Sequence, residues 1–284
     1  MTQSAVRIDS HVHLWTIGQH GQSWPTPDLA QIYRDFLPED LLSLIADQNI
    51  EQVILVQSQP TTDDTEYLLD IAANNDAVLG VVGWCDLAAD DVGPQLDRYR
   101  ARGPLVGVRP MLQAIAPSDW IAGDELRAGL DEVEKRDLVF DALVDLRHLD
   151  ALATMKASRP ALRMVIDHGA KPAIGDQALF EDWRCAMARL AGLPNVYCKL
   201  SGLLTEAPTG ATAGDLRPYV DVLLAIFGPE KLLWGSDWPV LTLSSNYGDW
   251  LSMAKDLCHN ISPSSQNEIF GDTAWKLYAA KAVT

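Results

Sequence analysis

The feature that most constrains how this chain can fold is an alternation, sustained from end to end, of short apolar runs with stretches of helical period. Runs rich in Val, Ile and Leu stand within Arg7–Trp15 and at Gln52–Ser58, Val78–Asp86, Leu105–Leu112, Val139–Asp145, Arg163–His168, Asn195–Ser201 and Leu232–Asp237. Between and after them, helical spacing predicts helices opening at Pro38 and at Asp63–Asn75, Asp90–Arg102, Asp124–Lys135, His148–Ala157, Gln177–Ala191, Asp215–Phe227, 247–258 and 263–281. The QVILVQS run is continuously apolar, as a strand buried on both faces requires. Eight strands alternating with helices predict a parallel α/β barrel, a (β/α)8 TIM barrel, forming one domain over 1–284. An open doubly wound sheet fits the same alternation. No Gly-x-Gly-x-x-Gly follows the first strand and no phosphate-cradling Gly-Lys loop occurs, which disfavours its nucleotide-binding forms.

In such barrels the chemistry gathers at the C-terminal ends of the strands. Those ends carry His11 and His13, Gln57, Trp84, Arg109, Asp145, His168, Lys199 and Asp237. His11 and His13, two apart on one strand, face the same way at a spacing of ~7 Å, where two imidazoles can share a cation or grip one polarised oxygen. A closed barrel sets strand 8 against strand 1, so Asp237 belongs beside that pair and His168 near it. For Asp237 the competing role is a helix N-cap before a proline, and for His168 a hydrogen-bonded core residue. Arg109 and Lys199 are cations on apolar strands, where an unpaired charge is costly. They contact substrate or pair with Asp145 or Asp9. Residues 16–38, rich in Gly and Pro with Trp24, Tyr33 and Phe36 among them, are long for a plain connection and are placed to fold over strand 1.

Composition removes several classes of partner. A net charge of −17 argues against nucleic acid and anionic membrane, both polyanions. No apolar run approaches the ~20 residues of a membrane span. Met1–Ala5 shows no basic segment leading into an apolar one, so no secretory signal is expected. The four cysteines are scattered with no Cys-x-x-Cys pair, which suits reduced thiols in the cytoplasm. A homo-oligomer is compatible with the sequence but not specified by it.

HVHLW after the first strand, DHGAKP at strand 6, CKLSG at strand 7 and WGSDWP at strand 8 together resemble the amidohydrolase superfamily, and within it the sugar-lactone hydrolase branch. The resemblance extends from Asp9 to the closing GDTAWKLY segment. It implies that His11, His13, His168 and Asp237 are the metal-site residues, with Asp237 and His168 catalytic. Gln57, Trp84, Arg109 and Lys199 are then the candidates for substrate contact. Two-metal members hold a bridging Lys or Glu on strand 4 and a histidine on strand 5. Here those positions are Arg109 and Asp145, and His148 lies beyond the strand. The expectation is therefore one divalent ion, zinc from the imidazole and carboxylate ligands, or none, with the histidines binding the carbonyl directly. The reaction implied is hydrolysis of an aldonolactone, a small-molecule substrate. A dicarboxylate lactone hydrolase, a metal-dependent decarboxylase and a non-catalytic sugar-binding barrel are the competing readings.

Overall fold

The structure is a computed structural model that describes residues 6–279. The N-terminal segment read for a signal, and the last residues of the expected final helix, lie outside that range. Eight strands form one parallel sheet in sequential order: β1 Ile8–Val12, β2 Gln52–Val56, β3 Val78–Gly83, β4 Leu105–Val108, β5 Val139–Ala142, β6 Met164–Ile166, β7 Val196–Leu200 and β8 Leu232–Trp234. The sheet curls until β1 meets the chain just beyond β8. Asp237 N donates to His11 O at 2.9 Å, His13 N donates to Trp238 O at 2.8 Å, and Val12 and Trp238 form a parallel bridge. The expected (β/α)8 barrel is what these residues build.

The outer helices are α1 Pro38–Gln48, α2 Thr62–Ala73, α3 Val92–Arg102, α4 Arg127–Lys135, α5 Leu149–Ser158, α6 Gln177–Ala191, α7 Ala213–Phe227 and α8 Tyr247–Leu257. α1, α2, α6, α7 and α8 start where the sequence offers orphan amides a partner. Pro38 needs no donor partner at its position, and Asp40 accepts from Leu37 N at 3.0 Å. The final stretch expected as one helix is instead α9 Pro263–Asn267, a π turn Glu268–Asp272 and α10 Thr273–Tyr278. The wider turn brings Gly271 against the backbone of Val6, where no side chain fits.

Two apolar layers result. The larger lies between the strands and the outer helices. The smaller fills the barrel itself, with Ile54, Val106, Val139, Val165 and Leu233 facing inward and Leu277 and Tyr278 of α10 stopping its lower end. Alternation along each strand then decides what lies above that layer. Val139 is followed two residues on by Asp141, Val165 by Asp167 and Tyr197 by Lys199, each pair sharing the inward face.

Several strands end sooner than their apolar runs suggest. β3, β4, β5 and β8 stop three or four residues early and β6 two, because the chain leaves the sheet to present its functional ends. His168 and Asp237, at φ 53° and 60°, sit in the left-handed region beyond β6 and β8. Such conformations cost of order 1–3 kcal/mol for non-glycine residues and persist where surrounding contacts hold them.

Gly235 is where the closing seam is tightest: a Cβ there would lie 2.8 Å from the His11 Cβ and 3.2 Å from its backbone nitrogen. Gly235→Ala is expected to push the end of β8 off β1 and lower stability by about 1–3 kcal/mol. The denaturant midpoint reads this, and a midpoint matching wild type would mean the seam has room to spare.

Candidate active site

The floor of the barrel mouth is a ring of imidazoles around one carboxylate oxygen. Asp237 Oδ1 lies 3.4 Å from His13 Nε2, 3.7 Å from His11 Nε2 and 3.9 Å from His168 Nε2. The two strand-1 rings approach edge to edge, Nε2 to Nε2, at 3.1 Å. All four side chains are buried, with at most 5% of any of them exposed. Each is fixed from behind. His13 Nδ1 meets Val56 O at 2.8 Å, and His168 Nδ1 meets Ser201 Oγ at 2.9 Å. Gly202 leaves room for the His168 ring, since a Cβ there would lie 2.5 Å from Nδ1.

Burial acts on every charge here. It pushes the His11 and His168 imidazoles below their ordinary range, and the Lys199 charge pushes His11 further. Burial opposes ionisation of Asp237 as well, but the facing His168, His13 and His11 outweigh it and hold the carboxyl low. The floor thus sets an ionised Asp237 carboxylate against His11 and His168 rings that burial disfavours as cations.

Beneath it lies a layer of ions. Lys199 Nζ donates to Asp141, stands 3.1 Å from Asp167 Oδ1 and 3.1 Å from His11 Nδ1. Tyr278 OH donates to Asp141 Oδ1 at 3.1 Å. Arg109 Nη1 lies 3.4 Å from both Asp167 Oδ2 and His11 Nε2, and Nη2 donates to Gln57 O. The two strand cations therefore pair with Asp167 and Asp141, not with Asp145 or Asp9. Asp9 takes hydrogen bonds from Ser236 N at 2.9 Å and Tyr247 OH at 2.7 Å and ties β8 to β1. Asp145 pairs with Arg147 and His148.

Above the floor opens a cleft of about 490 Å³, lined among others by Trp24, Ser58, Gln59, Gln113, Lys171 and Glu206, with His13, Arg109, His168 and Asp237 at its base. The 16–38 segment does fold over the first strand: Trp15 and Phe36 exchange backbone hydrogen bonds, and Gln59 Oε1 accepts from Ser23 N at 2.9 Å. Of the four residues expected to contact substrate, only Arg109 reaches the cleft wall. Lys199 is wholly buried one layer below, Gln57 donates to Arg109 O at 2.8 Å, and Trp84, whose backbone N donates to Thr65 Oγ1 at 2.8 Å, does not line the cleft. Asp141 and Asp167 are the members that strand-end reading missed. Their signal was present: an acidic residue on the inward face of an apolar strand needs a cation on a neighbouring one.

The donor set suits one divalent ion. Tetrahedral zinc with bonds of ~2.0–2.1 Å sets its ligand atoms ~3.3 Å apart. The ligand atoms of His11, His13 and Asp237 bracket that edge at 3.1–3.7 Å, while His168 falls into a second cluster with His11 and Asp167. Among the described residues, each cluster able to hold a cation includes His11, so the two clusters overlap.

Residues 8–280 match the amidohydrolase family, and the chain belongs to it. It is 42% identical over 276 residues to an L-fucono-1,5-lactonase of Burkholderia ambifaria, covering 96% of this chain and 95% of that one. An L-fucono-1,5-lactonase of Burkholderia multivorans is 35% identical over 286 residues, covering 97% and 96%. A crystal structure of an amidohydrolase from Burkholderia multivorans with bound zinc superposes with a TM-score of 0.91 at 34% identity, covering 97% of this chain and 99% of that one.

Asp64 orders the cleft wall from outside the floor. It accepts from Ser58 N at 2.9 Å and Gln59 N at 3.2 Å, and burial raises its carboxyl from 3.8 to about 6. As pH rises from about 4 to 6 the unfolded chain ionises this group while the folded one retains its proton. Stability is therefore lost across that window, by about 3 kcal/mol in all. Asp64→Asn keeps an acceptor oxygen for both amides and removes the titration. Thermal unfolding should show the variant gaining more at pH 8 than at pH 4; equal shifts at both would contradict the assignment.

Proposed function

We propose that this protein hydrolyses a neutral sugar-derived lactone, water opening the ring to the aldonic acid. The observation that carries the reading is the ring of histidine Nε2 atoms around Asp237 Oδ1 at the base of a polar cleft. The names of the two Burkholderia relatives support a lactone as substrate and make L-fucono-1,5-lactone the first compound to test.

The cations of the mouth favour a neutral ring over a dicarboxylate. Lys171 is paired with Glu206, Arg109 with Asp167 and the Gln57 carbonyl, and Lys199 with Asp141 and Asp167. Arg147 is spent on the carbonyls of Gln113, Ile115 and Ala116 and on Asp145. A substrate with carboxylates, whether a dicarboxylate lactone or the acid of a decarboxylase, would need charge-assisted partners that these side chains have already given away.

Lactone hydrolysis needs a proton acceptor for water, a polarised carbonyl and stabilisation of the alkoxide. Asp237, held ionised, takes the proton of water as its oxygen bonds to the carbonyl carbon. His168, beside it, stabilises the negative oxygen that forms. When the bond from carbon to ring oxygen breaks, Asp237 returns the proton to that oxygen, leaving a free hydroxyl and an acid. His11, His13 and Asp237 would also hold a single zinc ion, with His168 beside it, and when bound that ion would supply Lewis acidity and a more acidic water.

A pH-indicator assay over aldonolactones of differing stereochemistry tests the substrate class. Acid release from a dicarboxylated lactone, with none from the aldonolactone panel, would reverse the choice. Asp237→Asn keeps shape and hydrogen-bonding reach but removes the base, so turnover should fall by at least ~10²-fold with KM changed far less. A folded variant with near-normal turnover would leave Asp237 as a cap.

A further inference from the structure

We propose that the Lys171–Glu206 ion pair on the cleft wall is a recognition site for two adjacent hydroxyls of the substrate ring, one accepting from the Lys171 ammonium and its neighbour donating to the Glu206 carboxylate. The inference deepens the lactonase reading and rests on it for the ring that carries those hydroxyls. The backbone supplies the first observation. His168, Gly169, Ala170 and Lys171 stand at φ 53°, 58°, 61° and 47°, a left-handed run in which only Gly169 lacks a Cβ. Such backbone is strained for the other three, and strain of this kind gathers at functional sites. The turn closes through Lys171 N, which donates to His168 O at 2.9 Å. Both side chains thereby reach the cleft, His168 at its base and Lys171 on its wall. The turn after β7 meets this one twice: Ser201 Oγ lies 2.9 Å from His168 Nδ1, and Glu206, further along, pairs with Lys171. Stability does not explain the pair, since both side chains are about a quarter exposed, at 25% and 24%, where ion pairs contribute little.

The second observation is how little hydrogen-bonding capacity the neighbouring wall groups have left. Gln59 accepts from Ser23 N and Trp24 N, and donates to Trp24 O and Ser58 Oγ. Ser58 Oγ donates to Asp64 Oδ1 at 3.3 Å, and Thr205 Oγ1 to Gly202 O at 2.8 Å. These groups are committed to the protein. Lys171 Nζ, by contrast, meets only Glu206 Oε1 among the described residues. An ammonium has three hydrogens, so two remain for a ligand, and Glu206 Oε2 accepts from no described residue.

Donors and an acceptor side by side, with no net charge, match a hydroxyl pair, because each hydroxyl can both give and accept. They do not match an anion. A carboxylate that met Lys171 would also meet Glu206, and the repulsion would offset the attraction. The pair therefore selects a neutral polyol and reads its stereochemistry, since the two hydroxyls must present themselves together from neighbouring ring carbons.

Lys171→Met combined with Glu206→Gln removes both charges without leaving either unpaired. The measurement is kcat/KM on the best aldonolactone and on the same lactone with each ring hydroxyl in turn replaced by hydrogen. In the wild type at least one deletion should cost roughly 10–100-fold. In the double variant that cost should shrink below ~3-fold, while the parent lactone loses roughly 10–100-fold, mainly through KM. A merely structural pair would lower every lactone alike and leave the cost of deletion unchanged, and that result overturns the proposal. A wild type indifferent to every deletion overturns it too. Should the double variant fail to fold, Glu206→Gln alone keeps the shape of the side chain and frees the Lys171 charge. Inhibition by the aldonate product should then tighten by at least ~5-fold, and unchanged inhibition counts against the pair.

Failure of the lactonase reading would look different. If the wild type hydrolyses no aldonolactone, calorimetry with the corresponding aldopyranose, which has the hydroxyls but no carbonyl, takes over as the readout. Tighter binding by the wild type than by the double variant supports the recognition site; equal binding, or none by either, overturns it.

Discussion

Barrel closure and the floor of the cleft are made by the same few atoms. The backbone hydrogen bonds Asp237 N to His11 O and His13 N to Trp238 O join the two ends of the sheet. The side chains of three of those residues then converge within 3.1–3.7 Å of one another. The carboxylate cannot shift relative to the histidines without opening the seam. Catalysis by preorganised groups requires that they be held in place before substrate arrives, and closure supplies this with no added device. Asp9 strengthens the same junction, its carboxyl spanning Ser236 N, His11 N and Tyr247 OH.

Below the seam the barrel interior changes character from one layer to the next. Val139, Val165 and Leu233 form an ordinary apolar plug over α10. One inward step higher, Asp141, Asp167, Lys199 and Arg109 form a layer of two acids and two cations, all buried. Hydrophobic residues of similar size would give comparable or better stability than such a layer, because desolvation offsets most of the Coulomb gain. Its contribution is orientation. Asp167 and Lys199 both touch the back of His11, and Arg109 touches its front, so the ring is held by charges on two sides.

How far these arrangements could be read from the sequence depends on which periodicity carried them. The barrel was legible because QVILV and LVGV can only be strands buried on both faces, and their repetition between helices leaves few topologies. His11, His13, His168 and Asp237 were legible because strand ends converge in a barrel. The roles of Lys199 and Gln57 were not. Both were read as strand-end residues, yet Lys199 is on β7 proper with its side chain directed into the interior, and only the register of β7 against β6 and β8 reveals the difference. Asp141 and Asp167 are hidden for the same reason, since they lie inside apolar runs and only the register of the strands shows that they face the barrel interior. The early ends of β6 and β8 were also hidden, since no local pattern forecasts left-handed backbone at His168 and Asp237.

The charge balance of the site bears on turnover as well as on recognition. With Lys171, Arg109 and Lys199 each matched to an acid, Asp237 faces three histidines rather than a lysine or arginine. The neutral lactone proposed as substrate would meet little electrostatic resistance on entry, whereas the aldonate formed from it would carry a new negative charge. That charge would arise in the cleft that holds Asp237, in a chain whose net charge is −17. In a low-dielectric floor such a pair repels strongly, and the field of an acidic surface continues the effect outward. Substrate and product of the proposed reaction would differ by one ionised group, and repulsion from Asp237 would weaken binding when release is required.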